Sequence, residues 1–165
     1  MPASSAWPEP VERVAAFLRA AGGEARLEEF PEGTSTVRDA ARAVGCEERD
    51  IVKSLVFLCD GRAVLALLPG DRRADPAKIA AAAGVRRARI AGPDDVRRLT
   101  GFEPGAVAPF PLPGVQAVLV ERTLLGRGTV WVGAGSTHHV MGMAPAELVR
   151  LARARPVDAV DDSAY

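Results

Sequence analysis

The sequence predicts a single α/β domain in which helices flank a mixed, largely antiparallel sheet. Three observations indicate this class. The chain has 165 residues, the size of one domain. Hydrophobic residues make up 48% and charged residues 25%, as is typical of a globular protein. Hairpin signals are interleaved with helical segments, unlike the strict strand–helix alternation of a doubly wound sheet.

The first part of the chain predicts two helices around a short strand. Apolar residues at helical spacing predict the first helix over residues 10–21. Weak alternation over residues 26–30 indicates a strand. Thr36 lies three residues before Asp39, as in a capping box, which predicts a second helix over residues 37–44.

A hairpin is predicted at the centre of the core. Residues 51–58 and 62–68 are rich in β-branched and large apolar residues, and Asp60-Gly61 between them is a strong signal for a tight turn. Later elements follow from cap residues and apolar runs. Helices are predicted from Pro76 to Gly84, over 93–99 and from Pro145, and strands over 86–90, 115–120 and 129–132.

Two glycine-rich segments interrupt the second half of the chain. Residues 101–114 are dominated by Gly and Pro, and a loop of that length in a compact domain is often functional. Gly133 to Ser136 is expected to form a tight glycine turn. The domain itself is predicted to occupy residues 10–160, with a loose arm at 1–9 and a tail at 161–165.

Charge and cysteine content exclude several classes of protein. The 21 cationic and 21 acidic residues give no net charge, which excludes a protein that coats nucleic acid by bulk charge. Cys46 and Cys59 have no zinc-type spacing, so neither a metal site nor a disulfide scaffold is expected, and a reducing cytoplasm is predicted. No apolar run reaches the roughly 20 residues of a membrane span, and no signal peptide is recognisable.

Lys53 is the first candidate for chemistry, because only two of the 21 cationic residues are lysines, Lys53 and Lys78. Strand alternation puts Lys53 on the same face as Leu55 and Phe57. A charge beside a buried surface is costly unless an anion meets it, which favours binding of a phosphate or a developing oxyanion. The alternative is a strand-end lysine whose ammonium extends to water.

The other candidates are weaker. Glycines in the segment Gly105 to Pro109 would let backbone N–H groups approach a ligand, although a rigid connection explains them equally well. His138 and His139 are adjacent and point in opposite directions on an extended chain, so they are not expected to share a metal. One of them could line a pocket, and the alternative is a pair of exposed loop histidines.

Several segments, taken in order, carry a resemblance to a known family. They are Thr34-Ser35-Thr36, Ile51 to Phe57, Leu65 to Asp71, Thr100-Gly101-Phe102, Gly105 to Phe110, Val132 to Gly135, and Glu147-Leu148. Together they resemble the YbaK/EbsC family, which also occurs as the editing domain inserted in bacterial prolyl-tRNA synthetases. The resemblance covers nearly the whole chain and implies a single α/β domain with a barrel-like sheet.

The resemblance also implies a function and a site. Members hydrolyse the ester that links a wrong amino acid to the 3′ end of a tRNA, usually tRNA(Pro), without a cofactor. The family's essential lysine falls on Lys53, and its G-x-x-x-P loop falls on Gly105 and Pro109. Ala106 departs from the family pattern, since a second glycine is common there. The further candidate contacts with substrate are Thr34, Thr36, Ala106, Gly133, Gly135 and His138.

The implied partners are the 3′ end of an aminoacyl-tRNA and, as a second candidate, prolyl-tRNA synthetase. Small residues in the expected pocket walls predict small aminoacyl groups, such as alanyl, seryl, threonyl or cysteinyl. Two other functions stay open at this point. One is a catalytically silent protein that binds tRNA ends or amino acids, and the other is a regulator of the synthetase.

Overall fold

Eight strands form one mixed sheet in the computed structural model, which describes residues 7–162. The strands are β1 Arg26–Glu29, β2 Ile51–Cys59, β3 Arg62–Pro69, β4 Ala88–Ile90, β5 Ala117–Glu121, β6 Val130–Ser136, β7 His139–Met143 and β8 Arg155–Val157. The α-helices are α1 Glu9–Ala21, α2 Val37–Val44, α3 Pro76–Ala83, α4 Pro93–Thr100 and α5 Pro145–Ala152. The predicted fold class is confirmed. None of the described helices is long and apolar enough to cross a membrane.

The strand order is β1-β7-β6-β2-β3-β5-β8, and β4 pairs with β2 on the edge that β6 also uses. Four pairings are antiparallel, β1–β7, β6–β7, β2–β3 and β2–β4. Three are parallel, β2–β6, β3–β5 and β5–β8. Within residues 7–162 the end strands β1 and β8 do not pair with each other, so the sheet is open rather than a closed barrel.

Local sequence signals explain the hairpin and α2. Asp60 and Gly61 both have positive φ, 53° and 79°, which is the backbone of the two-residue turn that their sequence predicts. At the start of α2, the Asp39 N–H donates to Thr36 Oγ1 at 3.0 Å, which confirms the predicted helix cap.

In the last third of the chain, one prediction is wrong and two strands were missed. Residues 133–136 are not a turn: they continue β6 through a β-bulge, and the chain reverses at Thr137-His138. Strands β7 and β8 were not predicted. The glycines here permit close packing instead, because a Cβ on Gly135 would lie 2.9 Å from Pro10 O and one on Gly142 2.7 Å from the Trp131 ring.

The two faces of β2 are covered by different helices. Val52, Val56 and Leu58 belong to the largest core cluster, which includes residues of α1, α4 and α5. On the other face, Ile51 packs with α2, and Phe57 packs with α3. Lys53 and Leu55 lie on this second face between the two covered ends, and both are half-buried. The space between α2 and α3 is therefore where this face of the sheet stays accessible.

The ends of the predicted domain lie partly outside the described residues. Of the predicted arm, residues 1–6 are outside, while the Trp7 ring packs edge-on against His139 with the ring centroids 5.4 Å apart. Of the predicted tail, residues 163–165 are outside. The Asp161 N–H donates to Arg73 O at 2.9 Å, so the chain packs on the domain up to that point.

Candidate functional site

A gap in the sheet opens along one edge of β2. On that edge β6 pairs only with Ile51 and Val52, and β4 pairs only with residues 57–59. Between them, no described strand pairs with β2. The Val56 carbonyl points to this edge, since it accepts from Ala91 N at 2.9 Å. Because backbone groups of alternate residues point to the same edge, the N–H and carbonyl of Ser54 face the gap.

A cleft of about 240 Å³ occupies this gap. It is walled by the segment before α2, by the middle of β2, by the loop at Gly105 and Val107, and by β6 and β7. The lining residues are Thr34, Ser35, Thr36, Val37, Ala40, Ile51, Val52, Lys53, Ser54, Leu55, Gly105, Val107, Trp131, Gly133 and Val140. Lys53 is the one charged side chain among these described residues. The cleft is therefore an apolar-walled space with one cation and several hydroxyls.

Lys53 Nζ is anchored by a single backbone oxygen, because it donates to the carbonyl of Arg72. Arg72 is itself held, since its Nη2 donates to Asp161 O at 2.6 Å. Burial lowers the pKa of Lys53, an effect that the nearby Asp71 opposes and Arg73 reinforces. An ammonium has three N–H donors, so two remain for a ligand in the cleft.

Hydroxyl groups flank the lysine on two sides. Thr34 is fixed by hydrogen bonds from its backbone N–H and its Oγ1 to Thr137 O, at 2.6 and 3.2 Å. Thr36 Oγ1 accepts from α2 and keeps its own proton for a further bond. The buried Ser54 Oγ has no hydrogen-bond partner among the described residues. The two threonine hydroxyls can bind polar atoms of a ligand, but neither has a histidine or carboxylate beside it in the cleft.

The structure brings five of the predicted site residues together in the cleft: Lys53, Thr34, Thr36, Gly105 and Gly133. The G-x-x-x-P loop thus reaches the cleft at its first glycine, whereas its proline does not. Gly133 has a specific role there, because a Cβ on it would lie 3.2 Å from Val107 O. The glycine allows the loop to pack directly on β6 and close one wall.

Four predicted site residues do not line the cleft. Ala106 is buried, with its N–H bound to Glu103 O at 2.9 Å, and Pro109 lines a separate groove. Gly135 faces the backbone of Pro10 on α1. His138 is exposed at the turn between β6 and β7, where its Nδ1 lies 3.2 Å from Thr137 Oγ1. The strand through residues 133–136 carries Gly135 and His138 away from the cleft, while Ala106 and Pro109 lie on parts of the 101–114 segment that face elsewhere.

The buried histidine is the neighbouring His139. Its Nδ1 lies 2.6 Å from Ser136 Oγ, and its Nε2 has no hydrogen-bond partner among the described residues. Burial lowers the pKa of His139, which favours the neutral ring. His139 does not line the cleft. In the described part of the chain no group of three His, Cys, Asp or Glu side chains could hold a metal ion.

Ten of the fifteen cleft residues were not predicted as site residues, among them Ser54, Trp131 and Val140. Trp131 lies in a predicted strand with no sign of a site, and Val140 lies outside every predicted element. They reach the cleft because β6 pairs in parallel with the start of β2 and β7 pairs with β6. Ser54 adjoins Lys53, which is the one signal that could have identified it.

An α/β domain with a single lysine in a small, apolar-walled cleft is suited to binding a compact group that carries a carbonyl or an anion. The family model for the aminoacyl-tRNA editing domain matches residues 31–151. The chain belongs to this family.

Relatives in sequence and structure agree with that assignment. YwhH of Bacillus subtilis is 33% identical over 121 residues, which cover 73% of this chain and 76% of YwhH. A proline–tRNA ligase of Nitratidesulfovibrio vulgaris is 33% identical over 67% of this chain but only 19% of the ligase. This chain therefore spans about a fifth of the length of that ligase.

A solved structure described as a candidate trans-editing enzyme for prolyl tRNA synthetase superposes with a TM-score of 0.88 and 34% identity. The match covers 94% of this chain and 99% of that protein. The protein APE2540 superposes with a TM-score of 0.84 and 32% identity, over 90% of this chain and 99% of that one.

Proposed function

We propose that this chain is an aminoacyl-tRNA deacylase that hydrolyses the ester between a wrong, small amino acid and the 3′ adenosine of a tRNA. The observation that carries the proposal is the half-buried ammonium of Lys53, the one charge in a cleft that opens at a gap in the sheet. One relative named above is a proline–tRNA ligase, so tRNA(Pro) is the proposed tRNA.

Ester hydrolysis requires a water molecule to add to the carbonyl carbon and the carbonyl oxygen to become an oxyanion. The oxyanion then collapses, and the ribose oxygen leaves with a proton. In this cleft the free N–H donors of Lys53 Nζ and the backbone N–H of Ser54 are the groups suited to stabilise negative charge. Fixed donors of this kind are worth about 10²–10³ in rate each.

The cleft residues named above include no histidine, carboxylate or thiol that could activate the water. The proposed proton acceptor is therefore the substrate itself, through its α-amine or the neighbouring ribose hydroxyl. The protein's contribution is to position the ester against a bound water and to stabilise the oxyanion. Lys53 can alternatively bind the terminal phosphate of the tRNA, which would serve the same positioning.

The cleft volume favours a small aminoacyl group. Its roughly 240 Å³ lie below the 300–1,000 Å³ typical of pockets for drug-sized ligands. Val37 and Val140 bring branched side chains to its walls, which further limits the space beside the ester.

The test is multiple-turnover hydrolysis by the purified chain, with no synthetase present. tRNA(Pro) is charged with radiolabelled alanine, and the ester that remains is measured against the spontaneous rate. We expect catalytic turnover that depends on Lys53. Tight binding of the charged tRNA without any acceleration would overturn the proposal in favour of a silent binding protein. Acceleration only in the presence of prolyl-tRNA synthetase would favour a regulator.

A further inference from the structure

A second concave surface lies at the opposite end of β2 from the cleft. It is a groove of about 550 Å³ formed by the start of α3, the β2–β3 turn and the approach to β4. Three arginines line it, Arg86, Arg87 and Arg89. We call this surface the arginine groove. Beside it, Ile90 is 54% exposed, which is unusual for a large apolar side chain of this protein.

The arginine groove carries uncompensated positive charge. All three arginines are exposed, and none of their side chains forms an ion pair or hydrogen bond with another described residue. Arg62 lies in the same row as Ala88 and Cys59 across β3, β4 and β2, but it lines a neighbouring concave surface rather than the groove. Two strand spacings separate the ends of that row, or about 10 Å.

Many other arginines of the described chain are ion-paired, whereas the three of the groove are not. Arg127 Nε lies 2.7 Å from Asp50, and Arg97 Nε lies 2.8 Å from Glu103. Arg98 pairs with Asp95 at 2.8 Å. The acidic residue that lines the groove is Asp60 alone. A protein of zero net charge thus keeps a local cluster of free guanidinium groups.

The arginine groove and the cleft lie at two ends of the same strand, β2. Lys53 and Cys59 are six residues apart on the same strand, which corresponds to about 20 Å along β2. The unpaired 3′ end of a tRNA is long enough to bridge that distance. An adenosine ester held at Lys53 would then bring the phosphates at the start of the acceptor stem near the arginines.

We propose that the arginine groove binds the phosphate backbone of the tRNA acceptor end while the 3′ aminoacyl adenosine occupies the cleft. This inference rests on the proposed function. A guanidinium group can donate two parallel hydrogen bonds to phosphate oxygens. Because these arginines are not ion-paired, they can bind phosphate without first breaking an ion pair within the protein. Ile90 offers an apolar contact for a ribose or an unstacked base. The groove would thus add affinity by contacting the acceptor end of the tRNA, whereas the small cleft contacts only the 3′ aminoacyl adenosine.

The experiment compares two triple variants of equal charge. One carries Arg86→Gln, Arg87→Gln and Arg89→Gln, and the control carries Arg19→Gln, Arg97→Gln and Arg98→Gln, whose arginines are ion-paired. The dissociation constant for uncharged tRNA is measured over a range of salt concentrations. For the groove variant we expect at least tenfold weaker binding at low salt. We also expect a salt-dependence slope smaller by about 2–3, since each lost phosphate contact removes about 0.7–0.9.

A second measurement separates the groove from the cleft. Hydrolysis of an aminoacyl adenosine, which has no acceptor stem, should be the same for wild type and the groove variant. The proposal is overturned if both triple variants bind tRNA equally well, or if the groove variant loses hydrolysis of the short ester as well. It is also overturned if only binding to prolyl-tRNA synthetase is lost. Arginine-dependent tRNA binding without any hydrolysis would support the groove and contradict the deacylase proposal.

Discussion

The two lysines occupy contrasting environments, and the contrast separates a structural role from a chemical one. Lys78 Nζ lies 3.1 Å from Asp158 and 2.9 Å from Asp162, and it also donates to Val160 O. Its hydrogen bonds to Asp162 raise its pKa. Lys53 has no carboxylate hydrogen-bonded to it within residues 7–162, and burial lowers its pKa. Lys78 therefore holds the C-terminal segment in place, whereas Lys53 lines the cleft and is not hydrogen-bonded to a carboxylate of the described residues.

Lys53→Ala should abolish most of the deacylation and leave the protein folded. The expected loss is about 10²–10³ in kcat/KM, the usual effect of removing one oxyanion donor. Arg98→Ala is the control, because Arg98 is an exposed cation that pairs with Asp95 away from the cleft, and its rate should stay near wild type. Both variants are assayed on alanyl-tRNA(Pro), with circular dichroism to check the fold. A rate for Lys53→Ala within threefold of wild type would show that its charge does not act in the reaction.

The lowered pKa of Lys53 predicts an alkaline limit to activity. A lysine whose pKa is lowered loses its proton at a lower pH than a free lysine, whose pKa is about 10.4. The enzymatic rate, after subtraction of spontaneous hydrolysis, should therefore decline as the pH rises towards that value. In Lys53→Arg, whose guanidinium does not titrate there, any residual activity should show no such decline. Identical profiles for the two proteins would contradict the assignment.

For single helices, strands and turns, the sequence predicts those features that depend on residues close together in the chain. Asp60-Gly61 specifies a two-residue turn, and Thr36 specifies a helix start, because each depends on residues no more than three apart. Strand β7 and the course of residues 133–136 depend on pairing between distant segments. A run of glycines by itself predicts a turn, because the sequence does not show which backbone segment packs against it.

The same limit applies to the candidate site. Lys53 and Gly105 were identified through the family motif, and both line the cleft. The cleft itself exists because β6 pairs with only the first residues of β2. That pairing joins Ile51 to Trp131, and no local pattern predicts where it stops. Ser54 was therefore not predicted as a cleft residue, although it adjoins Lys53 in the sequence.

Gly133→Ala tests how tightly the loop must pack on β6. An added Cβ would lie 3.2 Å from Val107 O, so the loop has to shift by a few tenths of an ångström. We expect kcat/KM to fall roughly tenfold, since small misplacements of a reacting group are costly. Gly128→Ala is the control, because a Cβ there has no atom within 4 Å. Thermal unfolding is measured for both variants. If Gly128→Ala and Gly133→Ala lower kcat/KM equally, loop packing is not what the cleft requires.

Across the whole molecule, the cleft depends on segments from most of the chain. Its walls come from the segment before α2 and α2 itself, from β2, from the loop at Gly105 and Val107, and from β6 and β7. The residue whose carbonyl holds Lys53 is in turn bound to Asp161 O. A site assembled in this way has a volume that the fold as a whole determines. Substrate size should therefore be the main basis of selection, while the hydroxyls of Thr34 and Thr36 refine it.

The last prediction concerns that selection. Initial rates on tRNA(Pro) charged with Ala, Ser, Thr, Cys or Pro, at equal concentration, should favour the small groups and largely spare the prolyl ester. Each excess methylene must be accommodated in a packed wall, at a cost of about 1–3 kcal/mol, which corresponds to roughly 10–200-fold in rate. Val37→Ala and Val140→Ala should enlarge the cleft and raise the relative rate on prolyl-tRNA. If wild type hydrolyses prolyl-tRNA as fast as alanyl-tRNA, cleft size is not what selects the substrate.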